Sequence, residues 1–521
     1  MILLVSSCSK PKLEERKTDT STGDTTVLTP QTPDDRIRLR ITYPENGQPK
    51  PNVDSNFIFG STGVAGASLT VNGFPVQVAP SGGWLAYLPM PADGKYQIVA
   101  SLGDEIDTLR HGYSIPPPPK PIDPNAPQVV TQKFATPLRA QIVKGSDTLA
   151  TGSDVMGAAP SIGADRKWFL PRGATMKAIA KQGSNVQVAF TDGVTAWLTD
   201  TMIVIDSTST QTLTAPRVAG LPSLNSYPGY TDVRVTSGFA PFLIEQDGRQ
   251  VILTLYGLQS PSNITGGNSP DSMVSGLSWN STSSGAAKLN IALQQPLWGY
   301  KAFYDSDGAV VLRIRRPPVI DQNEPLQGRK ILIDPGHPPA GATGPTGLTE
   351  AQANLAISLK LAEKLRAKGA NVIMTRTTGQ APRSMTNTAV DLWGRTEIAV
   401  QNDAEVLLSV HNNAFPDGVN PFKNVGTSTY YYHPHSRDFA RAMQTAILQA
   451  TGLQDKLANQ RSLAVVRPTW MPATLTESLY MMFPEQEMML RDPAFIDRLA
   501  EAHVNGLEAF FRERGRLSSQ P

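Results

Sequence analysis

The pattern of hydrophobic residues changes at Lys330, and this change constrains the fold more than any other feature of the chain. After this point four apolar runs are continuous: KILID, NVIMT, EVLLSV and ATLTE. Continuous runs are typical of strands that are buried on both faces of a parallel sheet. Helical segments separate them, and one places four apolar residues on a single face: Leu355, Leu359, Ala362 and Leu365. We therefore predict an α/β domain with a mostly parallel sheet flanked by helices, over residues 328–514.

Two residues at the predicted helix ends support this pattern. Gly369 follows the first helix, where glycine accepts the left-handed conformation of a C-terminal cap. Ser436 has a side chain suited to the N-cap of a second helix that runs to about Thr451.

Before Lys330 the apolar runs are short and alternate with polar residues, so we predict three all-β modules. Residues 36–115 contain the hairpin signal Asn72-Gly73 and resemble a bacterial immunoglobulin-like β-sandwich. Residues 116–127 form a proline-rich linker. Residues 128–208 resemble a small SH3-like barrel, and residues 209–318 resemble a β-rich AMIN-like targeting domain. The residues leave open whether these modules bind ligands or act as spacers.

The N-terminus begins MILLVSSCSK, with the single cysteine, Cys8, after an apolar run and two small residues. This stretch resembles the end of a bacterial lipoprotein signal peptide, although the part before Cys8 is short for such a signal. The polar, unpatterned residues 9–35 predict a flexible tether. The resemblance implies that Cys8 is lipidated, and that a membrane anchor holds the protein in the cell envelope, in the periplasm. The alternative is an ordinary N-terminus with a chance cysteine.

Charge and cysteine content exclude several classes of function. The formal net charge is +2 over 521 residues, without the basic signature of nucleic-acid binding. One cysteine can form neither an internal disulfide nor a thiolate metal site. No run approaches 18 apolar residues, so we predict no transmembrane helix.

Polar residues stand where the strands of the C-terminal domain are predicted to end. Asp334-Pro335-Gly336-His337 follows KILI, Glu350 opens the first helix, His411 ends EVLLSV, and Glu477 ends ATLT. Ligands of open α/β sheets bind beyond the carboxyl ends of the strands. Two histidines and a glutamate match a known catalytic zinc set, and a further carboxylate could serve as general base. Each residue alone has an ordinary structural explanation, but together they favour a site.

The same stretches resemble the zinc-dependent N-acetylmuramoyl-L-alanine amidases, whose Amidase_3-like catalytic domain contains the DPGH sequence. About 185 residues follow the family's order, and the matching stretches are ILIDPGH, GATGPTGLTE, NLAISLKLAEKLRAKGANVIMTR, Arg395 ahead of EVLLSVHNNA, GTSTYYY and VVRPTWMPATLTES. The resemblance implies that His337, Glu350 and His411 bind Zn²⁺ and that Glu477 is the catalytic acid/base. It also implies the substrate, the peptidoglycan amide between N-acetylmuramic acid and L-alanine, cleaved in cell-wall remodelling or daughter-cell separation.

The chain departs from the family pattern at two places. Pro338-Pro339 stands where the family has two glycines, which removes backbone N–H groups from the loop. Ser478-Leu479-Tyr480 replaces a small residue, Gly and Phe after Glu477. These changes bear on substrate preference and rate rather than on metal binding. Thr377 to Gly394 is too short for the long helix that plugs the site in some members, so we hypothesise control by location or by the N-terminal modules.

Four further polar residues carry weaker predictions. Asn413 and Arg467 are candidates for binding glycan or peptide. His433 and His435 are also polar candidates near the crevice, although a solvated strand end is the favoured interpretation. Two alternative functions remain open at this point: a catalytically degenerate wall-binding or regulatory lipoprotein, and a zinc hydrolase of another substrate class. The sequence identifies no activator protein.

Overall fold

The computed structural model describes residues 36–117, 130–151, 156–206, 217–261, 271–281, 285–338, 341–382 and 388–518. Cys8 and the tether predicted for residues 9–35 lie outside these ranges, as do most of the proline-rich linker and Pro339. No helix within the described ranges has the length and apolar character needed to cross a membrane.

The first β-rich region consists of two antiparallel sheets with a shared hydrophobic core that includes Trp84 and Ile98. Asn72 and Gly73 both have positive φ and join two strands in a two-residue turn, which confirms the predicted hairpin. One sheet has the order β1-β2-β5 and the other β4-β3-β6-β7. The strands are β1 Arg40–Tyr43, β2 Ser55–Ser61, β3 Ser68–Val71, β4 Phe74–Val76, β5 Gly83–Pro89, β6 Lys95–Leu102 and β7 Glu105–Gly112. We refer to this region as the β-sandwich.

The second β-rich region is built on a five-stranded sheet with the order β14-β13-β12-β8-β15, beside a short β10-β11 pair. Its strands are β8 Gln132–Ile142, β9 Thr148–Leu149, β10 Met156–Ala158, β11 Trp168–Leu170, β12 Thr175–Gln182, β13 Asn185–Thr191, β14 Val194–Thr199 and β15 Ile203–Asp206.

The third β-rich region contains two further sheets, with the orders β17-β18-β25-β24-β9 and β19-β20-β23-β22, and a β16-β21 pair. Strand β9 of the second region pairs with β24 of the third, and a single hydrophobic core includes residues of both. The two regions are therefore packed as one unit. The strands are β16 Arg217–Val218, β17 Ser223–Ser226, β18 Tyr230–Val235, β19 Phe242–Asp247, β20 Gln250–Tyr256, β21 Leu258–Gln259, β22 Val274–Ser281, β23 Ala286–Leu293, β24 Gly299–Tyr304 and β25 Val310–Arg315.

The C-terminal domain has a six-stranded sheet with the order β27-β26-β28-β31-β29-β30 and flanking helices. Neighbouring strands are parallel except for β29 and β31, so the predicted α/β domain with a mostly parallel sheet is confirmed. The strands are β26 Lys330–Pro335, β27 Asn371–Met374, β28 Val406–Asn413, β29 Thr427–Tyr431, β30 Asp455–Gln460 and β31 Ala473–Tyr480. The helices are α1 Glu350–Ala367, α2 Thr388–Gln401, α3 Pro421–Asn424, α4 Arg437–Thr451, α5 Pro484–Arg491 and α6 Pro493–Ser518.

The residues predicted to cap α1 and α4 lie at the ends of these helices in the structure. Thr349 and Gln352 form a reciprocal capping box at the start of α1, and Gly369, with φ of 78°, follows its last turn. Ser436 is the N-cap residue of α4 as predicted, but its side chain makes no cap hydrogen bond. Its Oγ accepts a hydrogen bond from the backbone N–H of Ala473 instead, so it joins α4 to β31.

The second and third β-rich regions are fixed to the back of the C-terminal domain by backbone groups and a buried tryptophan. The N–H of Tyr300 donates to the carbonyl of Thr469 at 2.7 Å, and the N–H of Thr469 donates to the carbonyl of Ala150 at 2.9 Å. Trp298 is fully buried against Phe510 of α6, with ring centroids 5.6 Å apart. These contacts place the β-rich regions at the edge of the sheet where β31 begins.

The β-sandwich contacts the opposite edge, beside the end of β31. Phe57 and Phe59 belong to the same hydrophobic cluster as Tyr480 and Phe483. The Asp417 carboxylate accepts hydrogen bonds from the Tyr43 hydroxyl and from Nδ2 of the fully buried Asn56. The β-sandwich therefore packs on the face of the domain where the candidate residues lie.

Candidate metal centre

Strands β26, β28 and β31 are adjacent and parallel, and this places their carboxyl ends side by side. Pro335 pairs with Val410, and His411 pairs with Glu477. The loop after β26 carries His337 to the same edge, where α1 begins. The polar residues that the sequence places at strand ends are thus brought together, as expected for the ligand edge of an open α/β sheet.

Three of these residues form a compact cluster that could hold a metal ion. One donor atom from each of His337, Glu350 and His411 lies within 4.8 Å of the others. Glu350 Oε2 is 3.1 Å from His337 Nε2, and Glu350 Oε1 is 3.0 Å from His411 Nδ1. Burial raises the pKa of the Glu350 carboxyl, but hydrogen bonds and charge attraction from the two histidines outweigh it and hold that pKa well below its usual range. The carboxylate is therefore ionised between two imidazoles.

Buried amides hold the Glu350 carboxylate in place. Asn354 Nδ2 and the backbone N–H of Asn412 both donate to Oε1 at 3.3 Å, and the N–H of Ala342 donates to Oε2 at 3.0 Å. Asn412 Nδ2 also donates to Asn354 Oδ1 at 2.9 Å. The sequence pattern did not identify Asn354 or Asn412 as part of the site. The available signal was an asparagine on the apolar face of α1, four residues after Glu350.

Two buried arginines hold the loop that carries His337. Arg395 donates to the carbonyls of Pro335, His337 and Pro338 at 3.0, 3.3 and 3.1 Å. It also pairs with the fully buried Asp334 at 2.7 Å. Arg376 donates to the Pro335 carbonyl at 2.9 Å. His337 itself has φ of 59°, so its backbone is in the left-handed region and depends on these contacts.

Glycines leave the space that the imidazole rings occupy. A Cβ at Gly336 would lie 2.3 Å from Cε1 and Nε2 of His411. A Cβ at Gly341, where φ is 108°, would lie 3.0 Å from Cγ of His337 and 3.3 Å from Oε2 of Glu350. The glycine between Pro335 and His337 therefore has a steric reason: any side chain there would displace His411.

Glu477 lies beside this cluster but is not one of its three members. Its Oε2 atom is enclosed and has no hydrogen-bond partner among the residues that the structure describes. Burial, and next the negative charge of Glu350, raise the pKa of the Glu477 carboxyl well above its usual value. An enclosed carboxylate oxygen without a donor, facing a His-Glu-His cluster, is an arrangement suited to accepting a proton.

The structure separates the two candidates for substrate binding. Asn413 ends β28 next to His411, and its Nδ2 donates to the hydroxyl of Tyr480 at 3.2 Å. Arg467 instead precedes β31, at the other end of that strand, and its Nε donates to Ser462 Oγ at 3.1 Å. The structure thus brings Asn413 to the edge that carries the metal cluster and leaves Arg467 away from it.

The interpretation of His433 and His435 as a solvated strand end is wrong. His435 is only 3% exposed, and the two rings stack with centroids 5.4 Å apart. Both rings also contact Tyr300 edge-on. The physical reason is the direction of β29, which is antiparallel to β31 and so ends against the β-rich regions rather than at the ligand edge.

Comparison with known proteins gives matches to the C-terminal part of the chain. Residues 331–509 match the family model described as N-acetylmuramoyl-L-alanine amidase. A probable cell wall amidase of Staphylococcus aureus, LytH, is 31% identical over 194 residues, which are 36% of this chain and 61% of that protein. An N-acetylmuramoyl-L-alanine amidase from Clostridium difficile 630 is 28% identical, and the match covers 35% of this chain and 97% of that one, with a TM-score of 0.32. The catalytic domain of the amidase CwlV from Bacillus (Paenibacillus) polymyxa var. colistinus is 29% identical, with the same coverage of 35% and 97% and a TM-score of 0.31.

The fold and the cluster define the C-terminal domain as an α/β domain with a His-Glu-His site at the carboxyl edge of its sheet. The sequence match then identifies residues 331–509 as a domain of the N-acetylmuramoyl-L-alanine amidase family, which confirms the resemblance. We call it the amidase domain. The chain spans 61% of the length of the curated relatives that it matches, and the β-rich regions lie outside the residues matched by the family model.

Proposed function

We propose that the protein is a zinc-dependent peptidoglycan amidase that hydrolyses the amide between N-acetylmuramic acid and the L-alanine of the stem peptide. One observation carries the proposal. The enclosed, unpartnered oxygen of Glu477 lies beside a His-Glu-His cluster, within a domain of the amidase family. Retention of all four side chains argues against the alternative of a degenerate wall-binding domain.

The donor atoms suit zinc. Two imidazole nitrogens and one carboxylate are a ligand set of catalytic zinc sites, which keep a further position open. Among the described ranges no fourth His, Cys, Asp or Glu joins this group. When bound by His337, Glu350 and His411, Zn²⁺ supplies Lewis-acid polarisation of the amide carbonyl and lowers the pKa of water.

The side chains of this chain provide the remaining chemistry. Arg395 and Arg376 hold the His337 loop, and the Asn354–Asn412 pair holds Glu350, so the ligands are oriented before substrate binds. Glu477 accepts the proton of the attacking water at Oε2 and then transfers it to the leaving amine of L-alanine. Asn413, whose Nδ2 donates to the Tyr480 hydroxyl, would contact the substrate at the same edge.

The regions before the amidase domain are proposed to direct it to the wall. We assign residues 36–115 as an immunoglobulin-like module, 128–208 as an SH3-like module and 209–318 as an AMIN-like module, supported by their strand-rich sequence and sheets. Lipidation at Cys8 would anchor the protein to a membrane of the cell envelope, facing the periplasm. Packing of the β-sandwich beside the ligand edge supports the hypothesis that control lies in the N-terminal modules.

The test is mass spectrometry of purified peptidoglycan after incubation with the full chain. We expect free stem peptides with an N-terminal L-alanine, lost on chelation and restored by zinc. Glu477→Gln should lower release by roughly 100-fold or more with zinc content unchanged. The matched control is Glu363→Gln, on the exposed surface of α1.

Other outcomes would contradict the proposal in distinct ways. Full activity of Glu477→Gln, or zinc loss equal to its activity loss, would refute the role of Glu477. Bound zinc without release would indicate another substrate class. Absence of both zinc and release would favour the degenerate binding module.

A further inference from the structure

A cavity lies between the amidase domain and the two β-rich regions that precede it. Its volume is about 340 Å³, and residues of all three regions line it. The amidase domain contributes the segment 432–435 and Arg467, which the metal cluster does not use. This cavity is at the amino end of β31, whereas Glu477 faces the metal cluster near the carboxyl end. It is therefore separate from the proposed catalytic site.

Two hydrogen-bond acceptors in the lining of this cavity have no donor. His435 is 3% exposed, and its Nε2 has no partner among the residues described. Burial lowers the pKa of His435 well below its usual value, so the ring is neutral, and a hydrogen bond to the backbone of Met471 accounts for its other nitrogen. Gln246 Oε1 is likewise enclosed and unpartnered, while its Nε2 donates to the carbonyl of Gly248 at 3.2 Å. Buried acceptors of this kind are satisfied by donors from a ligand or from water.

The rest of the lining combines aromatic rings and cations. Phe169 and Tyr432 meet edge to face, with ring centroids 6.1 Å apart. Arg467 and the exposed Lys167 contribute two positive charges, and Glu245, also exposed, contributes one negative charge. Aromatic walls with a few oriented polar groups are typical of small-molecule sites, and a volume of this size matches the lower end of their range.

We infer that this cavity binds a sugar that carries a carboxylate group. Hydroxyl or N-acetyl N–H groups would donate to His435 Nε2 and Gln246 Oε1. The carboxylate would lie against Arg467 and Lys167, and the apolar face of the sugar ring against Phe169 or Tyr432.

The proposed reaction itself produces such a ligand, and in this respect the inference rests on the proposed function. Hydrolysis breaks the C–N bond of the lactyl amide. The water oxygen becomes part of a carboxylate on N-acetylmuramic acid, and both protons of the water pass to the released amine, which leaves as an ammonium group. The glycan thus gains a negative charge where it had a peptide. The cavity would then hold the protein on glycan from which stem peptides have already been removed.

Calorimetric titration of the full chain with N-acetylmuramic acid tests this inference. N-acetylglucosamine, which lacks the lactyl carboxylate, serves as the comparison ligand. We expect binding of N-acetylmuramic acid at millimolar concentrations and at least tenfold weaker binding of N-acetylglucosamine. Lys167→Gln should weaken only the acidic sugar several-fold, because it removes a rim charge. The matched control is Lys133→Gln, at an exposed position of β8, and it should change the binding of neither sugar.

Gln246→Leu tests the second contact, since it keeps the side-chain volume and removes the unpartnered acceptor. It should weaken both sugars about tenfold, and its thermal unfolding should show an intact fold. If it fails to fold, Lys167→Gln still decides, because that side chain is exposed. No binding of N-acetylmuramic acid, or binding that neither substitution changes, would overturn the inference.

Failure of this inference can be told apart from failure of the proposed function. Peptide release from peptidoglycan is measured separately on the same proteins. Sugar binding without peptide release would support the cavity as a sugar site and refute the proposed amidase activity. Peptide release without sugar binding would support the amidase activity and refute the cavity as a sugar site.

Discussion

Replacement of Gly336 by alanine tests whether the glycine of the DPGH sequence acts by leaving space for a metal ligand. The added Cβ would lie 2.3 Å from Cε1 and Nε2 of His411. Carbon atoms in van der Waals contact are about 3.5 Å apart, so the ring or the loop must move by about 1 Å. Ligand distances in metal sites tolerate only about 0.2 Å.

The size of the effect follows from this mismatch. Displacing a ligand or its support lowers metal affinity by roughly 10- to 100-fold, which corresponds to about 1.4–2.7 kcal/mol of binding free energy. We expect Gly336→Ala to lose zinc affinity by at least this factor and to lose peptide release at limiting zinc. Its fold should remain, since the atoms that the added Cβ would meet are those of the His411 ring, at the end of a side chain.

Zinc affinity is measured by competition with a chelator, and folding by thermal unfolding of the same protein. Gly379→Ala is the matched control, because no atom lies within 4 Å of its added Cβ and its φ is not in the left-handed region. Unchanged zinc affinity in Gly336→Ala would refute the steric argument and the assignment of His411 as a ligand.

Three further predictions concern stability. Arg395→Gln removes the cation that pairs with the buried Asp334 carboxylate and donates to three loop carbonyls, so the free energy of unfolding should fall by about 3–5 kcal/mol in a denaturant titration; a fall below 1 kcal/mol would contradict this. Burial lowers the pKa of His503 to about 4, so its neutral form stabilises the fold above pH 6.5. About 3 kcal/mol is then lost as pH falls from 6.5 to 4, because the unfolded chain takes up a proton that the buried ring does not, and His503→Gln should show a shallower pH dependence of unfolding. Asp417→Ala removes the acceptor of Tyr43 and Asn56, and should lower the stability of the β-sandwich contact by about 2 kcal/mol, detected as an earlier unfolding transition.

The sequence alone predicted four of the six strands of the amidase domain's sheet and the placement of its four main polar residues. It could do so because each signal is local. Continuous apolar runs identify buried strands, Gly369 marks the end of α1, and each candidate residue stands at the end of a strand or opens a helix. Parallel strands then bring their carboxyl ends to one edge without further information. The same logic predicted the Asn72-Gly73 hairpin, since a two-residue turn depends only on its own φ angles.

Contacts between residues distant in the chain were decided only by the tertiary structure. Two hydrogen bonds join segments that are dozens of residues apart: Asn412 to Asn354, and Arg376 to the carbonyl of Pro335 in the His337 loop. No spacing rule connects these residues. Because β29 is antiparallel to β31, His433 and His435 pack against Tyr300 of the β-rich regions and line the cavity there, although the sequence indicated a solvated strand end. Burial, unlike strand periodicity, depends on what packs against a residue from elsewhere in the chain.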